Sequence, residues 1–274
     1  MSSNSAIGIF DSGYGGLTIF SEIRALMPEY DYIYLGDNAR TPYGTRSFDI
    51  VYRYTLESVR QLFSMGCNLV ILACNTASAK ALRNIQQNYL PKYAPDKRVL
   101  GVIRPTTEIV GKYSKSRHIG LFGTEGTIDS MSYNIEISKF HPDIKVTGQS
   151  CPMWVPLIEN GESASDGADF FVKQYCDSLM AKDPLIDTVI LACTHYPLLK
   201  DKIAKYLPAS INIISQGPIV AASLKDYLSR HKEMEQSISR GGNCSFHTTE
   251  QSAKFTKNAS IFLDASISAE TINY

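Results

Sequence analysis

Two stretches decide the fold: Leu69-Val70-Ile71-Leu72-Ala73-Cys74-Asn75-Thr76 and Thr188-Val189-Ile190-Leu191-Ala192-Cys193-Thr194-His195. Each opens as a short, uninterrupted apolar run, the pattern of a strand buried on both faces in a parallel sheet. Each then ends in Ala-Cys followed by small hydroxyl or amide residues. That buried parallel strands all look alike accounts for the Val, Ile and Leu, but not for the shared Ala-Cys. A second pair, Ile7-Gly8-Ile9-Phe10-Asp11-Ser12-Gly13 and Ile119-Gly120-Leu121-Phe122-Gly123-Thr124-Glu125, lies at an offset of 112 residues, against 119 for the first pair. Two matches at nearly one offset point to two related halves.

Outward from these runs, apolar stretches alternate with helix-like ones along most of the chain, the signature of βαβ units. Strands are expected at Ile7–Phe10, Tyr32–Leu35, Leu69–Ala73, Val99–Ile103, Ile119–Phe122, Thr188–Ala192, Ile211–Ile214 and Cys244–Phe246. Leu17–Met27 and Phe48–Met65 carry apolar residues at three- and four-residue steps and are expected to be helices, with Gly66 stopping the second. The polar stretch Ser229–Asn243, with Gly241-Gly242, reads as a surface connection. The fold class is α/β, with mainly parallel sheets.

Composition narrows the function. At 274 residues, 44% hydrophobic and 20% charged, the chain is an ordinary globular protein long enough for one large or two medium α/β domains. Its 27 basic residues balance 27 acidic ones, which leaves no electrostatic footprint for nucleic acid. Met1-Ser2-Ser3-Asn4-Ser5-Ala6 has no features of a signal peptide and no apolar run reaches membrane-spanning length, so the expectation is a cytoplasmic protein with no membrane partner. The six cysteines (Cys67, Cys74, Cys151, Cys176, Cys193 and Cys244) are sparse and fit no disulfide framework, so they read as free thiols. With no Cys-x-x-Cys and no His-x-x-x-His, no metal site is expected.

Ligands of open α/β sheets bind beyond the carboxyl ends of the strands, which is where Cys74 and Cys193 stand. Each follows a buried strand and precedes helix-forming sequence: Ala77–Leu82 after the first, and Pro197, suited to a first helical turn, after the second. A helix N-terminus favours the thiolate, making each cysteine a candidate base or nucleophile. A cysteine at a strand end is about as often a small buried hydrophobe, and what favours chemistry is the matched pair. His195, two positions beyond Cys193, could take or return its proton; alone it would read as a structural histidine. Asp11-Ser12-Gly13-Tyr14-Gly15-Gly16 joins a strand to a helix, but Thr18 stands where a dinucleotide fingerprint wants its third glycine. The loop's plainer use is a tight turn binding an anion, with Asp11 as an acid or base or, in the competing reading, a helix cap.

Taken together and in order, Asp11-Ser12-Gly13 with Gly15-Gly16, Pro42-Tyr43-Gly44, Ala73-Cys74-Asn75-Thr76-Ala77-Ser78, Gly123-Thr124-x-Gly126-Thr127, Val155-Pro156-Leu157-Ile158-Glu159 and Cys193-Thr194-His195-Tyr196-Pro197 resemble the motifs of the glutamate racemase branch of the aspartate/glutamate racemase family. The aspartate branch also has two cysteines, but usually lacks both the Ser78 that follows Thr76-Ala77 and the Thr-His-Tyr-Pro continuation. One departure is visible: many members have glycine where this chain has Thr106, which bears on the local loop but on no catalytic position.

The resemblance implies two pseudo-symmetric α/β domains with the active site in the cleft between them: residues 1–98 and 210–274 in the first, 99–209 in the second. It implies cofactor-independent interconversion of L- and D-glutamate, supplying D-glutamate for peptidoglycan. Cys74 would take the proton from the D-enantiomer and Cys193 from the L-enantiomer, assisted by Asp11 and His195 respectively. Glu159 matches an auxiliary acidic position, against a plain surface-loop role. Asp11, Ser12, Tyr43, Gly44, Asn75, Thr76, Thr124, Thr194 and His195 would hold the substrate. Glutamate is then the small-molecule partner, and the assembly a homodimer. Two thiols suit the chemistry because inverting a stereocentre by proton transfer needs a base on one face and an acid on the other. The rival readings are an aspartate or hydantoin racemase, and a two-lobed protein that binds an amino acid without chemistry.

Overall fold

The computed structural model describes residues 5–263 and 265–273. Among the described residues, ten strands, β1 (Ile7–Asp11), β2 (Tyr32–Gly36), β3 (Leu69–Leu72), β4 (Arg98–Gly101), β5 (His118–Gly123), β6 (Lys145–Ser150), β7 (Thr188–Ala192), β8 (Asn212–Ile214), β9 (Cys244–Thr248) and β10 (Ala269–Thr271), form two sheets. One has the order β10-β9-β2-β1-β3-β4 and the other β6-β5-β7-β8, and every named pairing is parallel. The fold class is therefore α/β, as expected.

The sheet orders make the repeat concrete. In β2-β1-β3-β4 and β6-β5-β7-β8, β1 corresponds to β5 and β3 to β7, and each pair lies adjacent in its own sheet. Cys74 and Cys193 thus leave the same place in the two halves. The helpers do not repeat: Asp11, closing β1, has Gly123 as its counterpart in the second half, whereas His195 has Thr76 in the first.

Two strands were not expected. β6, Lys-Val-Thr-Gly-Gln-Ser, is an edge strand with a mostly half-exposed pattern, so it lacks the apolar run that marks a central strand. β10 is a three-residue edge strand. The strand expected at Val99–Ile103 stops at Gly101, because the chain turns at Val102 into the helix Ile103–Ile109. Thr106 sits inside that helix, buried. Ser229–Asn243 is also more ordered than a plain connection: the helix Gly217–Arg230 runs into it and Lys232–Ser237 forms another.

Helix α1 (Leu17–Leu26) buries Leu17, Ile19, Phe20 and Ile23, the expected three- and four-residue face. Helix α2 (Phe48–Ser64) starts at Ser47, whose hydroxyl accepts from the Ile50 N–H. It stops as expected at Gly66, whose φ of 97° suits glycine. The Cys67 N–H reaches the Leu62 carbonyl and the Gly66 N–H the Phe63 carbonyl, at 3.0 and 3.1 Å, the paired bonds of a left-handed helix stop. Helix α3 (Asn75–Lys80) follows β3 directly. The chain changes sheet after Gly101 and again after Ile214, and a single core cluster includes Ile9, Val102, Phe122, Leu191 and Leu224.

Candidate active site

The carboxyl ends of β1, β3, β5 and β7 gather the predicted residues. Cys74 caps α3: the Ala77 N–H donates to its sulfur at 3.4 Å, and its thiol donates to Ser12 Oγ at 3.5 Å. The expected pull of a helix N-terminus toward thiolate is overturned here. Burial, with the Asp11 carboxyl nearby, pushes the Cys74 thiol up to about 12, and the Ser12 and Ala77 hydrogen bonds only partly oppose this. A charge on Cys193 adds to the rise, so the two sulfurs share one electrostatic neighbourhood.

Asp11 is buried and does not cap α1, whose N-cap is Gly16. One carboxyl oxygen accepts from the Gly13 N–H at 2.9 Å, while Oδ1 has no hydrogen-bond partner among the described residues. Burial raises this carboxyl above its ordinary value, against the opposing pull of the His195 charge and the Gly16 and Gly13 N–H groups. A carboxyl so placed can hold a proton that an ordinary aspartate would lose.

On the opposite half, the Cys193 sulfur lies 3.8 Å from His195 Nδ1, and His195 Nε2 lies 2.8 Å from Glu159 Oε1. Glu159, from the end of the helix Trp154–Glu159, is thus tied to the thiol through the imidazole rather than left on a surface loop. Burial works against a charge on His195, but hydrogen bonds to Cys193 and Glu159 outweigh it and push the imidazole up to about 10. A pKa raised by folding contributes stability that is complete below the ordinary histidine value of about 6.5 and is lost as pH climbs through about 10. The stability gap between the parent protein and His195→Asn, followed by thermal unfolding, should therefore be widest near pH 6 and narrow toward pH 10. A gap that is flat or widens over that range would show that His195 is not cationic in the folded protein.

Close approach explains the glycines of the first loop. A Cβ on Gly15 would stand 2.3 Å from both His195 Nδ1 and Thr194 Oγ1, and one on Gly16 would stand 2.5 Å from the Asp11 Cβ. The first loop therefore lies directly against the second cysteine's turn, and Thr18 Oγ1 donates to the Thr194 carbonyl at 2.9 Å. Beyond Cys193 the chain makes a short 3-10 turn over Tyr196–Leu199, with Pro197 in its first positions, before the helix Lys200–Tyr206.

The other predicted residues divide into two groups. Thr76 Oγ1 lies 3.0 Å from Thr124 Oγ1, and the Gly126 N–H donates at 2.7 Å to the Gly44 carbonyl, so the Pro42-Tyr43-Gly44 loop rests on the turn after β5. Ser12 Oγ meets the Cys74 thiol and Thr194 directly follows Cys193, while the Thr76 and Thr124 hydroxyls bond to each other and to Thr127. The side chains of Tyr43 and Asn75 are likewise engaged. The Tyr43 hydroxyl donates to Asp37, and the Asn75 amide bonds to Tyr133 and Gln216. Neither Tyr133 nor Gln216 stands in a recognisable motif, and no local signal in the sequence marks them. Among the described residues, no group of three or more His, Cys, Asp or Glu is arranged to hold a metal ion. All six cysteines are free thiols.

Known proteins agree with this architecture. The family model described as Asp/Glu/Hydantoin racemase matches residues 18–224. The glutamate racemase of Paracoccus denitrificans is 41% identical over 268 residues, covering 94% of this chain and 96% of that protein. That of Roseobacter denitrificans is 40% identical over the same length and coverage. Among solved structures, glutamate racemase isoform RacE1 from Bacillus anthracis matches with a TM-score of 0.89 at 35% identity, covering 99% of this chain and 98% of that one. The glutamate racemase of Francisella tularensis, solved in complex with D-glutamate, matches with a TM-score of 0.87 at 30% identity and the same coverage. With its family model matched over most of its length and relatives at this identity along nearly all of it, the chain belongs to the Asp/Glu/Hydantoin racemase family.

Proposed function

We propose that this chain is a cofactor-independent glutamate racemase in which Cys74 and Cys193 exchange a proton with opposite faces of the substrate α-carbon. The observation that carries the reading is the pair of thiols at the ends of the topologically matched strands β3 and β7, each with its own ionisable helper. In the L-to-D direction Cys193 acts as thiolate and removes the α-proton, while Cys74 as thiol delivers one to the other face; the reverse direction exchanges these roles. His195, held by Glu159, stands 3.8 Å from the Cys193 sulfur, where it can pass a proton to and from that thiol. The raised Asp11 carboxyl stands beside Cys74, where it can return a proton to that thiolate.

For the substrate, the hydroxyls of Ser12, Thr76, Thr124 and Thr194 suit its carboxylates. Gly44, on the turn carrying Tyr43, stands beside Thr124, and Tyr43 and Asn75 would serve through their backbone because their side chains are taken. Glutamate as substrate is carried over from the relatives, one of which was solved with D-glutamate. A cytoplasmic homodimer making D-glutamate for peptidoglycan completes the reading. We further propose two α/β units as the domain division. Its boundaries move from 98/99 and 209/210 to just after Gly101 and Ile214, because β4 joins the six-stranded sheet and β8 the four-stranded one.

The test is direct. Protein dialysed against a chelator and given only L-glutamate should bring the optical rotation to zero. Unchanged rotation with glutamate bound would favour the binding protein, faster racemisation of aspartate or a hydantoin the other branches, and activity restored only by added metal would refute cofactor independence.

A further inference from the structure

Beside Cys74 lies a closed circuit of three buried polar side chains. Asn75 Nδ2 donates to Gln216 Oε1 at 2.8 Å, Gln216 Nε2 donates to the Tyr133 hydroxyl at 2.7 Å, and that hydroxyl donates to Asn75 Oδ1 at 2.6 Å. The direction of the circuit is fixed chemically. Gln216 Nε2 also faces the Val102 carbonyl at 3.1 Å, which only accepts, so this end of the amide must be the NH2. Thr106 Oγ1, 3.2 Å from the same nitrogen, is a further acceptor. Burial raises the Tyr133 phenol well above its ordinary value, so it remains a donor. Donors running one way around a buried ring reinforce one another, and removing one member leaves the others unsatisfied.

The members and their Val102 acceptor come from separate parts of the chain, whose helices also meet in an apolar cluster that includes Ile103, Tyr133 and Ile219. Asn75 is the first residue of α3, next to Cys74. Tyr133 lies on the helix Ser132–Phe140, in the half built on β5 to β8. Val102 and Gln216 stand at the two places where the chain passes between the sheets, just after β4 and just after β8. A charge on Cys193 also bears on the Tyr133 phenol, so the circuit lies within reach of both thiols.

We propose that Gln216 and Tyr133 are positioning residues, which act through the Asn75 side chain to set the place of Cys74 relative to the opposite half of the site. This deepens the racemase reading and rests on it. Thr106 is then an added acceptor for Gln216 where many family members have glycine, not a disturbance of the loop.

The test uses a ratio that misfolding cannot alter. Free L- and D-glutamate are mirror images with an equilibrium constant of one, so kcat/KM is equal in both directions for every variant. The ratio of the two kcat values therefore equals the ratio of the two KM values and is independent of how much protein is active. With the D-enantiomer bound, Cys74 is the thiolate, and with the L-enantiomer it is the thiol, so displacing Cys74 changes the two complexes unequally. Full-length Tyr133→Phe and Gln216→Leu should lower kcat/KM on the order of tenfold. They should also move the kcat ratio in the same sense as Asp11→Asn, whose carboxyl stands beside Cys74. Because Tyr133→Phe removes a single oxygen, it keeps the test usable if Gln216→Leu does not fold. A lowered melting temperature with the kcat ratio of the parent in both variants would overturn the proposal, leaving the circuit a purely structural one. A second readout needs no activity: the rate of iodoacetamide labelling at Cys74 relative to Cys193, measured by mass spectrometry, should rise in Tyr133→Phe. If the parent racemises no glutamate, the functional reading fails and the labelling ratio alone decides the positioning role, an unchanged ratio overturning it.

Discussion

Cys74→Ala and Cys193→Ala should each lower kcat/KM by at least about a thousandfold, equally in both directions, while leaving the fold intact. The loss is large because neither half of the proton exchange has a substitute. Asp11 and His195 are held by other partners, the Gly13 N–H and Glu159 respectively. It is equal in both directions because the free enantiomers have the same energy, even though in the proposed exchange each thiol abstracts in only one direction. The fold should survive because both thiols are small side chains at strand ends, and the buried apolar runs Leu69–Leu72 and Thr188–Ala192 that hold the sheets are untouched. Kinetics in both directions with thermal unfolding on the same samples decide the matter. Racemisation at near-parental rates by either variant would remove that cysteine from the chemistry. A loss accompanied by unfolding would call for Cys→Ser to separate the two effects.

Much of this architecture is legible in the sequence because its central strands are buried on both faces. β1, β3, β5 and β7 are uninterrupted apolar runs, and their repetition at nearly one offset is enough to mark the two halves. What escapes is what lies at the edges. β6 has no apolar run to find, although the repeat supplies its place, since β2 and β6 stand in corresponding positions beside β1 and β5. The site divides in the same way. Cys74, Cys193, Asp11 and His195 are visible because strand ends mark them. Tyr133 and Gln216 are an ordinary tyrosine in a helix and an ordinary glutamine before one, joined to Asn75 only by tertiary folding. The ionisation of Cys74 also escapes, because helix position argues for a lower value while burial and Asp11 carry it the other way. Burial depth is a property of the folded molecule.

The two-thiol exchange also predicts an all-or-none isotope result. Each thiol trades its proton with water before substrate binds, and the group that removes the α-proton is not the group that delivers its replacement. The most direct measurement is therefore L-glutamate in D2O, stopped early in the approach to equilibrium, with the two enantiomers separated and their α-carbons read by NMR or mass spectrometry. The D-glutamate formed should carry deuterium at the α-carbon in essentially every molecule, while the remaining L-glutamate should still carry protium. Product that retains the original α-proton would contradict the account, because it would require a single base to carry the same proton from one face to the other.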